Sequence, residues 1–354
     1  MKKLPFLCCT LIVVAMCGCK QQPEQANWKV RQMVDTVGFA QYKWQMDSVI
    51  QRMNYNIEED NKWRVAISPH DDYAYVGDLY LKILKGIKAK TVILFGVAHK
   101  AKDFELEDEI IFDSYDAWMA PCSNVEVSGY RDKILAKLPD SLYTVHNEIH
   151  RVEHSLEALI AFIHYYNPEL EIVPMLVPYM SYDKMQQIAK LLSKAIAKVI
   201  KKENLNWGDD LALVISTDAV HYGDQDWGGK NYAPYGTDSA GLVAVKNTEI
   251  EIINRCLIGE VSPEKIRNFI QYTVQESDYK EYKWTWCGRY SVPFGLLTAY
   301  HLNNKMGNSI LKGDFIGYST SIDHPKIKVE DLNMGTTAPA NNHHFVGYAA
   351  VGYK

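Results

Sequence analysis

Basic clusters are missing from this 354-residue sequence. Its net charge is −5, and no stretch concentrates the Lys and Arg that a nucleic-acid backbone demands, so nucleic acid is excluded as a partner. Cysteine is scarce. Of the seven, Cys8, Cys9 and Cys17 fall within the first 18 residues and Cys19 follows directly, leaving only Cys122, Cys256 and Cys287 in the rest of the chain. Three widely spaced thiols do not make a disulfide framework, and in an oxidising compartment each must be buried or bound. Internal repeats and low-complexity blocks are also absent, which removes solenoids and disordered scaffolds from consideration.

What is present begins with a leader. Lys2 and Lys3 precede a short apolar run from Leu4 to Met16, and Gly18 stands immediately before Cys19. That run falls short of the roughly 20 residues of a membrane span, whereas the order of charge, apolar run and small residue is the secretion pattern. The small residue before Cys19 resembles the bacterial lipobox. Residues 1–18 are therefore expected to be a signal peptide, Cys19 a lipidated first residue, residues 19–26 a tether and residues 27–354 a single α/β domain. The expected location is an exported, membrane-anchored lipoprotein, periplasmic or outer-membrane-associated, with its N-terminal lipid as the membrane contact.

In the body, short apolar runs alternate with helical periods. Asn27–Met53 reads as a helix or a pair of helices, Val65–Ile67 as a buried strand ending at Ser68-Pro69, Tyr80–Ile87 as a helix and Thr91–Gly96 as a second strand. An amphipathic helix after Glu153, the strand Glu171–Val177, the helix Tyr182–Lys202 and the strand Leu211–Ile215 continue the pattern. Such alternation predicts a three-layer αβα fold with a central, mostly parallel sheet. Ile110–Val127 fits a hairpin or irregular excursion, Ser309–Ser321 and Phe345–Tyr353 late strands, and Asp331–His344 a surface connection.

Open α/β sheets bind ligands beyond the carboxyl ends of their strands. Polar residues stand there in three places: His70 after the first strand, His99 after the second, and Asp218 with His221 after Leu211–Ile215. Cys287 precedes the helical run Phe294–Leu302. Two imidazoles and a thiolate suit iron, copper or zinc, although each residue singly has an ordinary structural reading. Asp218 either orients His221, whose imidazole moves protons, or caps a short helix and leaves His221 exposed. Tyr73, Tyr75, Trp284 and Trp286 offer stacking surfaces, and packing is the commoner role for the two tryptophans.

Five ordered segments together carry a family resemblance: Ser68-Pro69-His70 with Tyr73, Tyr75 and Gly77; Leu94-Phe95-Gly96 with His99; Glu153-His154-Ser155-Leu156-Glu157; Ser216-Thr217-Asp218 with His221-Tyr222-Gly223; and Cys287-Gly288-Arg289. The sequence resembles the Memo family, also called AmmeMemoRadiSam system protein B, whose fold is similar to that of class III extradiol dioxygenases. The resemblance implies metal ligands at His70, His99 and Cys287, with Asp218 and His221 close by as catalytic residues and Tyr75 as a pocket tyrosine that binds substrate. Glu153-His154-Ser155 looks like a helix-start signature with a structural role. The implied activity is a metal-dependent oxidoreductase, with iron or copper as the leading metals, zinc as a further candidate, and dioxygenase-type chemistry on a small molecule. A non-catalytic metal-buffering lipoprotein is the alternative. Asp71 and Asp72 depart from the family's small residues after the first histidine.

Overall fold

Four apolar runs make the centre of the sheet because they are apolar along nearly their whole length, as a strand covered on both faces must be. They are Val65–Ser68, Thr91–Val97, Glu171–Val177 and Leu211–Ser216. The computed structural model describes residues 28–53 and 61–354, so the expected signal peptide, the expected lipidation at Cys19 and the expected tether lie outside the described residues. The four strands run parallel in the spatial order Glu171–Val177, Thr91–Val97, Leu211–Ser216, Val65–Ser68.

Successive side chains alternate between two cores. Ala66, Leu94 and Val214 face a layer formed by the helices Tyr73–Val76, Leu79–Leu84 and Glu157–Tyr166. Ile67, Phe95 and Ile215 face the opposite layer, formed by Tyr182–Glu203, Pro263–Thr273 and Ser291–Met306. The three-layer αβα architecture follows, as the alternation predicts. The chain steps one way from Val65–Ser68 through Thr91–Val97 to Glu171–Val177, then reverses to insert Leu211–Ser216 between the first two strands. Right-handed crossovers put helices on opposite faces when the direction reverses, and that reversal opens a crevice at the carboxyl ends.

The described residues form a 13-stranded sheet that is parallel at its centre and of both senses at its flanks. His344–Tyr353 runs antiparallel to Val65–Ser68, and Lys312–Thr320 runs antiparallel to His344–Tyr353. A register shift between Phe315 and Gly317 leaves Ile316 as an extra residue, and among the described residues only Gly259–Glu260 pairs beyond that strand, against Lys312 and Gly313. Both late strands form where expected. Among the described residues no helix is long and apolar enough to cross a membrane.

The N-terminal expectation needs correction. A helix forms only over Lys43–Met53, while Val30–Arg31 is a short strand pairing with Ala117–Trp118. Arg31 decides this locally. Its buried guanidinium pairs with Glu157, donates to the carbonyls of His150 and Glu153, and lies 4.3 Å from the Trp118 ring centroid. These tertiary partners outweigh the local helical period. The connection Asp331–His344 is only partly at the surface: Asn341 to His343 are exposed, but Leu332 and Met334 are buried.

Candidate metal centre

Register brings the predicted histidine loops to one level. Ile67 and Phe95 both align with Ile215 across the sheet. His70, His99 and Asp218 therefore lie three, four and three residues beyond a common row, on adjacent strands. Pro69 ends the first strand, and the chain is tied across at once: Thr217 N donates to Ser68 O at 2.9 Å, and His70 N to Asp218 Oδ1 at 2.8 Å. Gly96 lets the second loop approach, since a Cβ there would stand 2.7 Å from Leu176 and 2.9 Å from Ser155 Oγ.

Cys287 reaches the same place from the entrance to Ser291–Met306. Gly288 N donates to Thr217 Oγ1 at 3.0 Å, and a Cβ on Gly288 would collide with that Thr217 side chain, so only glycine allows this docking. Ser291 Oγ adds a bond of 2.8 Å to Ser216 O. The Cys287 sulfur then accepts from Asp218 N at 3.0 Å and lies 3.7 Å from His70 Nε2. One ligand atom each from His70, His99 and Cys287 lies within 4.8 Å of the others. Ligands of one tetrahedral ion are about 3.5 Å apart by the usual metal–nitrogen and metal–sulfur lengths, so these residues need little movement to close on a cation.

Both imidazoles are oriented by their other nitrogen. Ser216 Oγ commits its proton to Ser155 O and so accepts from His70 Nδ1 at 2.7 Å, leaving the Nε2 lone pair facing Cys287. His99 Nδ1 meets Glu153 Oε1 at 2.9 Å, and His99 N donates to Glu153 Oε2 at 2.7 Å. A carboxylate or hydroxyl behind a ligand imidazole fixes its tautomer and angle.

Electrostatics agree with a cation site. Burial, reinforced by His99 and His154, pushes His70 well below the ordinary imidazole value and keeps it neutral. Burial and the neighbouring Asp218 carboxyl push the Cys287 thiol well above its usual range. Burial, then Asp71, raises Asp218 likewise. A cation at the centre would reverse the last two effects, offsetting the crowded acids and drawing a thiolate from Cys287. Burial also opposes ionisation of Glu153, but His99 and His154 outweigh it and hold this carboxyl well below the usual range.

Several expectations change in detail. No hydrogen bond joins Asp218 to His221 among the described residues: Asp218 serves His70 and Cys287, while His221 Nδ1 meets Thr285 O at 3.2 Å. Asp218 caps no helix either, because the chain enters the short strand His221–Gly223. Burial, then His99, pushes His221 down to about 4, so at neutral pH it is an uncharged base. Tyr75 donates to Ala338 O at 2.6 Å and lines a separate cleft of 1160 Å³ whose lining includes none of His70, His99 and Cys287. Cys256 is buried in a core and Cys122 is partly exposed; neither joins the cluster.

Three residues carry more than the sequence reading assigned. Glu153 orients His99 as well as accepting from Ser155 N near the helix start. His154 stacks on His99 with ring centroids 5.0 Å apart. Glu249, fully buried in the helix Ser239–Ile252, accepts from Trp284 Nε1, Trp286 Nε1 and Val220 N at 2.6, 2.8 and 3.1 Å. One carboxyl thus braces the segments leading to both Cys287 and His221, and gives Trp284 and Trp286 their packing role. No local motif announces it, since its partners are remote in sequence.

Burial pushes Glu249 up to about 7 against the pull of those donors. A folded-state value above the unfolded one means that its contribution is fully present below about pH 4.5 and is lost as pH rises through about 7. Between pH 4.5 and 8 the unfolding free energy of Glu249→Gln is therefore expected to fall less than that of the parent, by on the order of 3 kcal/mol. Urea titrations at both pH values read this directly, and parallel pH profiles would show that Glu249 ionises normally.

Comparison with known proteins follows the same lines. A family profile described as Memo-like protein matches residues 39–333. A MEMO1 family protein of Thermococcus kodakarensis is 24% identical over 308 residues, covering 84% of this chain and 89% of the relative. One from Thermococcus onnurineus is 22% identical over 300 residues, covering 83% and 88%, and one from Methanosarcina barkeri is 28% identical over 160 residues, covering 44% and 54%. The profile spans most of the chain and includes all the residues gathered at the crevice, so the chain belongs to the Memo-like family.

Proposed function

We propose that the protein is a metal-dependent oxidoreductase that holds iron or copper between His70, His99 and Cys287 and acts on a small molecule. The observation that carries this reading is the convergence of two tautomer-fixed imidazoles and a thiol within 4.8 Å at the switch point of the sheet. When bound, iron or copper would supply redox chemistry and a coordination position for substrate or dioxygen; dioxygenase-type chemistry is an analogy from fold. Around it His221, with Nδ1 committed to Thr285, accepts a proton at Nε2. Asp218 fixes the His70 backbone and the Cys287 sulfur in place.

A second reading, metal buffering without turnover, has its own support. His99, Glu153 and His154 form another donor set that shares His99 with the first, and storage gains from additional donors. Elemental analysis after purification without chelator tests the common ground. Near-stoichiometric iron or copper, lost in Cys287→Ala, is expected; no metal in either protein would overturn both readings. Oxygen uptake on candidate phenolic substrates then separates them. Turnover that is lost in His221→Ala with metal content retained supports catalysis, whereas a metal-loaded protein with no turnover supports storage.

A further inference from the structure

A buried cation without an anion stands two residues beyond Cys287 in the chain. Arg289 is 4% exposed, yet it forms no ion pair among the described residues. Its guanidinium donates to neutral acceptors only, from Nε to Tyr290 Oη at 3.1 Å and from Nη2 to Lys280 O at 3.0 Å. Its carbon lies 3.5 Å from the Tyr282 ring centroid and 4.7 Å from that of Tyr290. Aromatic faces stabilise a guanidinium but leave its charge uncompensated.

Arg289 lines a cavity of 520 Å³ between the start of Tyr182–Glu203 and the helix Pro263–Thr273. Arg267 and Lys283 line the same cavity, and among the described residues neither forms an ion pair: Arg267 stacks near Tyr182, and Lys283 Nζ donates to Gln271 O at 2.8 Å. Glu276 is the single acid on the lining and is exposed. In a chain of net charge −5, three cations without an ion pair among the described residues meet at one cavity. The rest of its wall includes Met180, Met185 and Ile270, apolar side chains of which the two methionines adapt readily to a ligand's shape. The volume is that of a small-molecule site.

We infer that this cavity binds a small amphipathic carboxylate, its anionic head against Arg289 between Arg267 and Lys283 and its apolar body along Met180, Met185 and Ile270. A planar guanidinium matches a carboxylate, and a single negative charge on an apolar body suits a wall that sets Met180, Met185 and Ile270 beside its cations. The site is separate from the metal centre and does not depend on the function proposed above.

Calorimetric titration of the full chain with octanoate, octanol and inorganic phosphate tests it. Octanoate is expected to bind saturably at one site, with octanol and phosphate binding far more weakly. Arg289→Gln is expected to abolish octanoate binding. Since that change also removes a buried side chain, the surface double variant Arg267→Gln/Lys283→Gln provides an independent reading, with affinity reduced about tenfold. Cys287→Ala should leave octanoate affinity unaltered, which distinguishes this cavity from the metal centre. Absence of saturable octanoate binding, equal binding of octanol, phosphate binding in its place, or undiminished affinity in the double variant would overturn the assignment.

Discussion

Arg31→Met is expected to cost about 3–5 kcal/mol of folding free energy, because it leaves Glu157 buried without its cation. Both side chains are essentially inaccessible, at 0% and 2% exposure. The Glu157 carboxylate also accepts from Val34 N at 2.6 Å and Asp35 N at 3.0 Å, so it cannot swing out to water without abandoning those donors. Burial pushes the Glu157 carboxyl up even with Arg31 against it. The pair therefore contributes more through what its loss exposes than through its attraction. Chemical denaturation of the parent and variant measures the cost. A loss below about 1 kcal/mol would mean that Glu157 takes up a proton with little penalty and that the N-terminal strand is held chiefly by contacts other than those of the Arg31 guanidinium.

Glu153→Gln is the second large effect, on metal affinity rather than folding. The carboxylate accepts three bonds, from His99 N, His99 Nδ1 and Ser155 N. An amide offers one oxygen and turns an NH₂ group toward at least one of these donors. His99 then loses its fixed orientation while remaining present as a ligand. Outer-shell changes of this kind weaken binding by about 10–100-fold. Competition against a chromophoric chelator, with iron(II) or copper, would read the change. Unaltered affinity in Glu153→Gln would show that His99 is not a ligand or that its orientation is set elsewhere.

The legible parts of this molecule were those governed by local rules. Thr91–Val97 and Glu171–Val177 are runs long and apolar enough to be read as doubly covered strands, and the switch point follows from their alternation with helices. His70, His99 and Cys287 could be grouped only through the ordered segments shared with a family, since ligands 29 and 188 residues apart carry no spacing signal of their own. Arg31 was not legible as part of a strand because its reason for being there, Glu157, lies 126 residues away. Glu249 was silent for the same reason. Glu153 was visible but undervalued: a glutamate near a helix start has a familiar local role, and only the fold reveals that the His99 ring turns toward it. Asp218 and His221 share no hydrogen bond because a spacing of three brings side chains together on a helix, and the chain there is not helical.

Lys312–Thr320 has nine residues, but among the described residues only its first two are paired on the outer side. A straight strand in that position would present an uninterrupted row of backbone donors and acceptors, with Phe315 half exposed beside it, to any second molecule that met it. The extra residue at Ile316 breaks the row and adds local twist. Two molecules meeting along this edge cannot form one continuous ladder, so the bulge guards a crowded solution against edge-to-edge aggregation.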